Sequence, residues 1–600
     1  MKKLLSSAFI LLLVATTLAQ TDKRLDGVNA QLNKILEETH AAGFAVAVVE
    51  KDKIIYAKGF GFRDVENKIP VDANTLFAIG SSTKAFTSAI LGQLRNEDKL
   101  SLDDSPIKYI PELEFYNDDM NNHIIIKDLM RHSTGLPRHD FSWYLFPTFN
   151  KDSLIQRIKY QKPFTGIRQQ WYYNNFMFLT QGVIAEKITG KSWEDNIKER
   201  FFKPLGMIRS NVTIDELKKS TNAALGYQTE KDSTNTQRDY YKIAGMRPAG
   251  SINSSVNDMS KWLITWINKG KYKGIEIIPE AYITEAISSQ MVVNGAIPDE
   301  ETPGLHFNNY GYGWALSSYK GHYRVNHGGN IDGFSANVAF FPSDSLGIVV
   351  LANQNGSRVP NLVRNTIADR ILNVHKTDWI QRYIDAQEKA KKAEKEAKAS
   401  KTSERVKNTR PSHIKQEYAG TYSNPGYGSF EINVERDSLF AQFKLMKMWL
   451  KHYHYDVFEP FEVEETGIDT TDSGPLRFNF ITNNAGEISS MKSKIEPALK
   501  DPIEFKRKPN TIDVSKETLE SYVGEYELAG MTLKVYIKNE KLYLFVPNQP
   551  EYELLATAKH KFNFKIMDGF KVEFIENDKN EFDEVKIIQP QGNFIAKRKN

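Results

Sequence analysis

The sequence predicts an α+β domain followed by two small all-β domains of the sandwich or barrel type. Strand-like segments lie near both ends of residues 25–375, helical patterns fill the stretch between them, and alternating strand patterns with turn residues dominate after Pro411. The chain of 600 residues is long enough for several domains. Its 40% hydrophobic and 26% charged residues are typical of a globular protein.

Residues 1–19 have the pattern of a signal peptide. Lys2 and Lys3 precede the mostly apolar run Leu4–Leu18. Thr17 and Ala19 are small residues at the two positions that a signal peptidase recognises, so we expect cleavage after Ala19. A membrane anchor or a buried helix is the alternative, but the run is shorter than the roughly 20 residues of a spanning helix. No later segment is apolar enough to span. We therefore expect a secreted or periplasmic protein with no stable membrane span.

The chain contains no cysteine, which excludes disulfides, thiolate catalysis, cysteine metal sites and lipidation on an N-terminal cysteine. It has 79 basic and 75 acidic side chains, a formal net charge of +4. This balance is too even to indicate a nucleic acid partner.

The α+β domain is predicted at residues 25–375. Residues 45–49 and 53–57 have the pattern of two strands joined by a charged turn, and residues 336–341 and 347–351 form a second such pair. Residues 82–94 have apolar side chains at helical spacing. Strands at both ends with helices between them predict that the two ends share one sheet.

A charged helical linker is predicted at residues 376–412. Apolar residues there keep a spacing of four and three, which places them on one face of a helix. We expect a solvated spacer that lies on a neighbouring domain; a partner-binding coiled coil is the alternative, although alanine makes a weak seam. The residues of this face are Trp379, Tyr383, Ala386, Ala390, Ala393 and Ala397.

The two β domains, residues 413–510 and 515–600, are predicted from an internal repeat. Tyr-Ala-Gly-Thr-Tyr at 418–422 matches Tyr-Val-Gly-Glu-Tyr at 522–526, and both copies end in Lys-Arg-Lys, at 506–508 and 597–599. We expect the basic ends to be solvated, with binding of an anionic polymer as the alternative.

The first chemical motif is Gly-Ser-Ser-Thr-Lys at 80–84. Ser81 lies at a predicted helix start, where unpaired backbone N–H groups can hold an oxyanion. Lys84 lies one turn later on the same face and acts as a base if burial removes its proton. The alternative is a serine that only caps an ordinary helix.

Two further motifs carry polar groups suited to the same chemistry. In Trp-Tyr-Tyr-Asn-Asn at 171–175, Tyr173 can shuttle a proton and Asn175 offers an amide to the lysine and the substrate. In Val-Asn-His-Gly-Gly-Asn at 325–330, the small side chains allow close backbone approach, and Asn330 can supply a second oxyanion N–H. Core aromatics with a turn and a glycine-rich hairpin with a surface histidine are the alternatives.

Together these motifs resemble the serine β-lactamase and penicillin-binding protein superfamily, in the branch of class C-like esterases and D-aminopeptidases. Supporting segments occur in the family's order, and the resemblance covers residues 25–375. They are Leu-Met-Arg-His-Ser-Thr-Gly-Leu-Pro at 129–137, Pro-Leu-Gly-Met at 204–207, Pro-Ala-Gly at 248–250 and Tyr-Gly-Tyr-Gly-Trp at 310–314.

The resemblance implies a role for each motif. The family's nucleophile falls on Ser81 and its lysine on Lys84. Its Tyr-x-Asn element falls on residues 172–174 or 173–175, of which we choose Tyr173 and Asn175 because the spacing to Gly182 and Glu186 is then kept. The third element falls on His-Gly-Gly at 327–329, so His327, Gly329 and Asn330 are expected to bind substrate.

The third element departs from the family pattern. β-lactamases and carboxypeptidases of this superfamily generally carry Lys-Thr-Gly or Lys-Ser-Gly there, and the lysine attracts the substrate carboxylate. His327 is mostly neutral above its usual pKa of about 6.5. The change disfavours efficient β-lactam hydrolysis and favours esters or peptides without a free carboxylate at that position.

The sequence therefore predicts a secreted serine hydrolase that forms an acyl-enzyme on Ser81 and cleaves ester or amide bonds in a small molecule or peptide. The resemblance implies no metal and no cofactor. The alternatives are a β-lactamase or D-Ala-D-Ala carboxypeptidase-type enzyme and a non-catalytic protein that binds cell wall or peptide. Whether Lys84 or Tyr173 is the main base, and whether copies associate through the β domains or linker helix, is left open.

Overall fold

The computed structural model describes residues 22–599 except 231–233, 239–242, 296, 300–301, 303, 401–404, 464–466, 469, 471–475, 509–510, 568 and 590. The predicted signal peptide, residues 1–19, and the side chain of Ala397 lie outside the described residues. An α+β domain is followed by two closed β-barrels, which confirms the predicted fold class and selects barrels over sandwiches.

A nine-stranded antiparallel sheet forms the centre of the α+β domain. The N-terminal hairpin pairs with the last strand of the domain, so that Val46 lies opposite Val350. The two ends of the domain therefore share one sheet, as predicted. In spatial order the strands are Met291–Asn294, Asn308–Tyr310, Ala315–Tyr319, His322–Ile331, Phe334–Phe341, Leu346–Ala352, Gly43–Glu50, Lys53–Asp64 and Ile69–Pro70.

Helices cover both faces of this sheet, which explains why its central strands are apolar on both sides. In the strand Gly43–Glu50, Ala47 belongs to one hydrophobic core and Val48 to the other. The first core includes the helices Lys84–Asn96 and Phe176–Thr189, and the second includes Val28–Glu38 and Val359–Ile371.

Shorter elements complete the α+β domain. Its further helices are Asp118–His123, Ile126–Met130, Phe141–Tyr144, Lys151–Arg157, Trp193–Ile197, Lys203–Leu205, Ile214–Lys219, Val256–Ile267 and Glu280–Ala286. Small antiparallel pairs are formed by Phe77–Ala78 with Asn253–Ser254, Gly226–Glu230 with Thr234–Arg238, and Lys271–Tyr272 with Ile275–Glu276.

The predicted linker contains a helix whose first turns are packed and whose described alanine side chains are exposed. A helix runs over Trp379–Ser400, and its first turns pack on the α+β domain through Ile380 and Ile384. Over residues 385–396 the side chains are exposed, since alanine buries too little apolar area to hold a segment rich in Lys and Glu on a surface. The exposed alanines are Ala386, Ala390 and Ala393.

Each all-β region closes into an eight-stranded antiparallel barrel. The first barrel follows the short helix Lys415–Tyr418, and its strands are Gly420–Asn424, Gly428–Glu435, Ser438–Gln442, Lys447–His454, Val457–Glu462, Phe478–Thr482, Ile488–Ser493 and Ile503–Lys508. The second barrel follows the helix Lys516–Tyr522, and its strands are Gly524–Leu528, Met531–Lys538, Lys541–Phe545, Glu551–Ala558, Lys561–Phe564, Lys571–Glu576, Phe582–Gln589 and Gly592–Arg598.

The repeated Tyr-x-Gly-x-Tyr motif helps to close each barrel. In the first barrel the Tyr422 hydroxyl donates to the Tyr418 carbonyl oxygen at 2.7 Å. Arg507, from the last strand, donates to the Ala419 carbonyl oxygen at 2.6 Å. The arginine of each basic run thus joins the last strand to the first, which corrects the expectation that this charge is only solvated. The second barrel repeats both contacts with Tyr526, Tyr522, Arg598 and Val523.

Candidate active site

Ser81 lies at the junction of a short strand and a buried helix. The 3-10 turn Gly80–Thr83 follows the strand Phe77–Ala78 and continues into the helix Lys84–Asn96. Gly80 adopts a left-handed φ of 52°, and a Cβ at this position would lie 2.8 Å from the Asn330 nitrogen. Glycine therefore lets the nucleophile turn approach the strand that carries Asn330. Both residues line a pocket of about 210 Å³ together with Ser81.

Lys84 is fully buried directly beneath Ser81. Its Nζ lies 3.1 Å from Ser81 Oγ, 2.7 Å from Asn175 Oδ1 and 2.7 Å from the Ala249 carbonyl oxygen. Burial lowers the pKa of Lys84 well below its usual range, and the nearby Arg138 guanidinium lowers this pKa further. Burial thus favours the neutral amine form of Lys84.

The second motif contributes Tyr173 and Asn175, and the alternative alignment on Tyr172 and Asn174 does not reach Lys84. The Tyr173 ring centroid lies 4.7 Å from Lys84 Nζ. Tyr172 instead packs on Phe164, and Asn174 donates to the Pro137 carbonyl oxygen at 2.6 Å. Burial raises the pKa of Tyr173, while a hydrogen bond with Ser81 acts in the opposite direction.

His327 lies behind the pocket rather than in its wall. Its Nδ1 is 2.6 Å from the Gly328 carbonyl oxygen and its Nε2 is 2.9 Å from the Tyr310 hydroxyl. Because a carbonyl oxygen can only accept, Nδ1 carries the proton and Nε2 accepts from Tyr310. Burial, with a smaller contribution from Lys84, lowers the pKa of His327 to about 3. The side chain is thus neutral and offers no charge to a substrate carboxylate.

Gly329 and Asn330 bring the strand His322–Ile331 against the nucleophile turn. A Cβ on Gly329 would collide with the Ile79 carbonyl oxygen, so this position requires glycine. The Asn330 side chain points away from Ser81, where its Oδ1 accepts from the Gly356 nitrogen at 2.8 Å and from Ser335 Oγ at 3.0 Å. The Asn330 contribution to the pocket near Gly80 is therefore its backbone.

The sequence analysis missed the segment that forms another wall of this pocket, which contains Arg138, Asp140, Trp143 and Tyr144. Asp140 Oδ1 accepts from Asn175 Nδ2 at 2.9 Å, and Oδ2 accepts from Arg138 Nε at 2.6 Å. The Arg138 guanidinium carbon lies 4.8 Å from the Tyr173 ring centroid. One sequence feature could have identified these residues: they come just after the Gly-Leu-Pro at 135–137, which belongs to a family segment.

Neither a metal site nor a membrane-spanning helix is present among the described residues. No group of three or more His, Asp or Glu side chains in that part of the chain could hold a metal ion. Within the same residues, no helix is both long and apolar enough to cross a membrane.

Comparison with known proteins identifies the α+β domain. The Beta-lactamase family model matches residues 28–372. The chain belongs to the beta-lactamase family. This confirms the resemblance inferred from the motifs, and the protein is a serine hydrolase of the β-lactamase and penicillin-binding protein superfamily. A second model, described as a domain of unknown function (DUF3471), matches residues 404–507 of this beta-lactamase family member, which include the first barrel.

Relatives of this beta-lactamase family member include named hydrolases. It is 26% identical over 455 residues to the unguisins hydrolase ungD' of Aspergillus campestris, covering 71% of this chain and 82% of that protein. It is 26% identical over 341 residues to the protein flp of Staphylococcus aureus, covering 56% and 65% of the two chains. The octameric penicillin-binding protein homologue from Pyrococcus abyssi shares the fold, with a TM-score of 0.54, 19% identity and coverage of 88% and 99%.

Proposed function

We propose that this protein is a secreted or periplasmic hydrolase that cleaves ester or amide bonds through an acyl-enzyme on Ser81, with Lys84 as the base. The set of contacts around Lys84 Nζ carries this proposal. A neutral amine has two N–H groups and one lone pair, and two of its three neighbours, Asn175 Oδ1 and the Ala249 carbonyl oxygen, can only accept. The lone pair is then left for the proton of Ser81 Oγ, 3.1 Å away.

The proposed reaction begins with attack of Ser81 Oγ on the substrate carbonyl carbon while Lys84 Nζ takes the hydroxyl proton. The backbone N–H groups of Ser81 and Asn330 stabilise the oxyanion. Because burial keeps the Tyr173 phenol protonated, Tyr173 passes its proton to the leaving group and recovers one from Lys84. Water then attacks the acyl-enzyme, and the same groups return the proton to Ser81.

The proposed substrates lack a carboxylate near the third motif. The neutral, buried His327 cannot attract one, whereas a lysine at that position could. Small esters and peptides are therefore the favoured class; Asn175 and Asn330 line the pocket that receives them, and Gly329 and His327 belong to the strand behind it. Acylation by penicillin is a second candidate, which membership of the beta-lactamase family favours.

The proposed location is tested separately from the activity. Residues 1–19 have the composition of a cleavable leader, and the mass of the protein recovered from the periplasm or medium would reveal cleavage after Ala19. Recovery of the uncleaved chain in the cytoplasm or membrane would contradict the proposal.

Self-association through the barrels or the linker helix stays a prediction. The exposed alanines of that helix and the description of the Pyrococcus abyssi homologue as octameric support testing it. Light scattering of the purified protein distinguishes a monomer from an assembly by molar mass.

The decisive experiment is the intact mass after exposure to a fluorophosphonate and, separately, to penicillin. We expect a fluorophosphonate adduct on the wild-type protein, none on Ser81→Ala, and an adduct on the matched control Ser82→Ala. Ser82 is suitable because its Oγ is engaged with the His327 carbonyl oxygen at 3.1 Å. A stable penicillin adduct would favour the second candidate, and an adduct on Ser81→Ala would refute the assignment of the nucleophile.

A further inference from the structure

Residues 138–147, here called the docking segment, have two faces that serve different parts of the molecule. Around the one-turn helix Phe141–Tyr144, Asp140 and Trp143 point to the catalytic pocket. His139 and Ser142 point to the first barrel. His139 precedes the helix and has a left-handed φ of 48°, so the direction of this side chain follows from the turn before the helix rather than from helix spacing.

The apolar end of the docking segment belongs to the core of the first barrel. Leu145 and Phe146, at 8% and 7% exposure, are members of the barrel's hydrophobic core. The Phe146 ring lies 5.7 Å from the Phe443 ring and 6.0 Å from the Phe505 ring, centroid to centroid. A Cβ on Gly428 would lie 2.8 Å from Phe146, so glycine there makes room for the ring.

Polar contacts fix the middle of the docking segment to the same barrel. The His139 nitrogen donates to Glu496 Oε2 at 2.7 Å, and Ser142 Oγ donates to the Gly426 carbonyl oxygen at 2.6 Å. His139 Nε2 faces the Lys162 carbonyl oxygen, so Nδ1 accepts from the Tyr427 hydroxyl at 2.8 Å. These groups are buried, and leaving one without its partner would be costly.

The pocket face of the docking segment leads directly to the base. Asp140, next to His139, accepts from Asn175 Nδ2, and Asn175 Oδ1 accepts from Lys84 Nζ. The Asp140 and Asn175 side chains thus connect the backbone of the docking segment, which the first barrel holds, to Lys84. A one-turn helix is too short to keep its position without tertiary contacts.

We propose that the first barrel is a component of the active site: through the docking segment it positions Asn175, Lys84 and the pocket wall. The proposal rests on the proposed function of Ser81 and Lys84, and it gives a role to a domain described so far as of unknown function. The pocket is lined by residues of the α+β domain, so the barrel supports one wall from behind and does not act as a lid. Glu496, Tyr427 and Gly426 are positioning residues.

The test replaces Glu496 in the full-length protein and measures the rate as a function of pH. We expect Glu496→Ala to lower kcat by about tenfold or more, because small displacements of catalytic groups are costly, with a smaller effect on KM for a small ester. Glu496→Gln keeps an acceptor for the His139 nitrogen and should retain most of the wild-type kcat.

The pH profile separates positioning from a loss of folded protein. The titratable or charged groups around Lys84 are Tyr173, His132, His327, Arg138 and Asp140. Burial and Arg138 lower the pKa of Lys84, and Asp140 raises it by a smaller amount, so displacement of the segment weakens the two larger, lowering contributions together with the smaller, raising one. The acid limb of kcat/KM should therefore move to higher pH in Glu496→Ala, whereas a smaller folded fraction would lower the rate at every pH equally.

The control is Phe480→Ala, a change in the core of the same barrel. Phe480 is suitable because its ring packs on Tyr418 and Tyr422 rather than on the docking segment. Below its unfolding temperature this variant should keep the wild-type rate and pH profile. A folded Glu496→Ala protein with wild-type kcat and acid limb would overturn the inference. Absence of a fluorophosphonate adduct on the wild-type protein would instead overturn the proposed function.

Discussion

The two barrels have the same strand order and the same closing contacts, yet the loops at one end differ in length. In the first barrel this end faces the active site. In the first barrel, residues 425–427 connect the first two strands, and residues 494–502 connect the last two. In the second barrel the corresponding first connection is only Ala529 and Gly530, both with left-handed φ, as in a tight hairpin turn.

The longer connections of the first barrel carry the polar contacts to His139 and Ser142 of the docking segment. Gly426 and Tyr427 lie in the first of them and Glu496 in the second. Because the first and last strands of a closed barrel are neighbours, these two loops lie side by side at one end. In the first barrel two loops hold the docking segment, and the first of these loops is replaced by a two-residue turn in the second barrel.

The largest effect on kcat is expected from removal of the nucleophile. The kcat values of all barrel variants are compared with this loss. Ser81→Ala removes the attacking oxygen and should lower kcat by about 10⁴-fold or more. Steady-state hydrolysis of a small ester measures it, and an unchanged thermal unfolding curve shows that the fold is kept. Turnover at the wild-type rate would contradict both the proposed function and the role given to the first barrel.

The second-largest effect on kcat is expected from a change to the loop in which the two barrels differ. Replacing Pro425-Gly426-Tyr427 by Ala-Gly gives the first barrel the short turn of the second, and it removes the Tyr427 hydroxyl that bonds His139 and the Gly426 carbonyl oxygen that bonds Ser142. We expect kcat to fall by about 10²-fold. In the second barrel, Ala529→Asn keeps a turn residue suited to left-handed φ and should leave the rate unchanged. Equal rates in both variants would mean that the long loop does not support the site.

The comparison also shows which features a sequence can predict. The Ser81 and Lys84 pair depends on helix spacing alone, so the motif was sufficient to place both groups together. Asp140 and Glu496 depend on contacts between residues far apart along the chain, and their side chains are ordinary for loops. Barrel closure likewise depends on pairing of the first strand with the last, which alternating hydrophobicity does not specify.

For the linker helix, by contrast, the sequence predicted packing that the described alanine side chains do not show. Regular spacing predicted that Ala386 and Ala390 would lie on a neighbouring domain, but they are exposed. Periodicity shows which residues share a face and not whether that face buries enough area to dock. Trp379, by contrast, has a hydrogen bond from its Nε1 to Asp369 at 2.8 Å in addition to its apolar surface.

The two barrels can also be compared by replacing one equally exposed phenylalanine in each core and measuring stability and kcat. Phe146 is buried in the first barrel's core and Phe564 in the second's, both at 7% exposure. Replacing either by alanine should cost about 3–5 kcal/mol in the free energy of unfolding. Only Phe146→Ala should also lower kcat under conditions in which both proteins are folded. Denaturant titration with parallel rate measurements tests this, and an equal loss of kcat in Phe564→Ala would contradict it.

The smallest effect concerns the charge that the docking segment brings to the base. The Arg138 guanidinium lowers the pKa of Lys84, so Arg138→Gln should raise that pKa and leave more of the lysine protonated at a given pH. The acid limb of kcat/KM should then move to higher pH, with a severalfold loss of rate below the new limb and recovery above it. Arg138→Lys keeps a positive charge and should show a smaller displacement. A displacement to lower pH would contradict the role given to Arg138, because freeing Asp140, which Arg138 pairs at 2.6 Å, can only raise the pKa of Lys84 further.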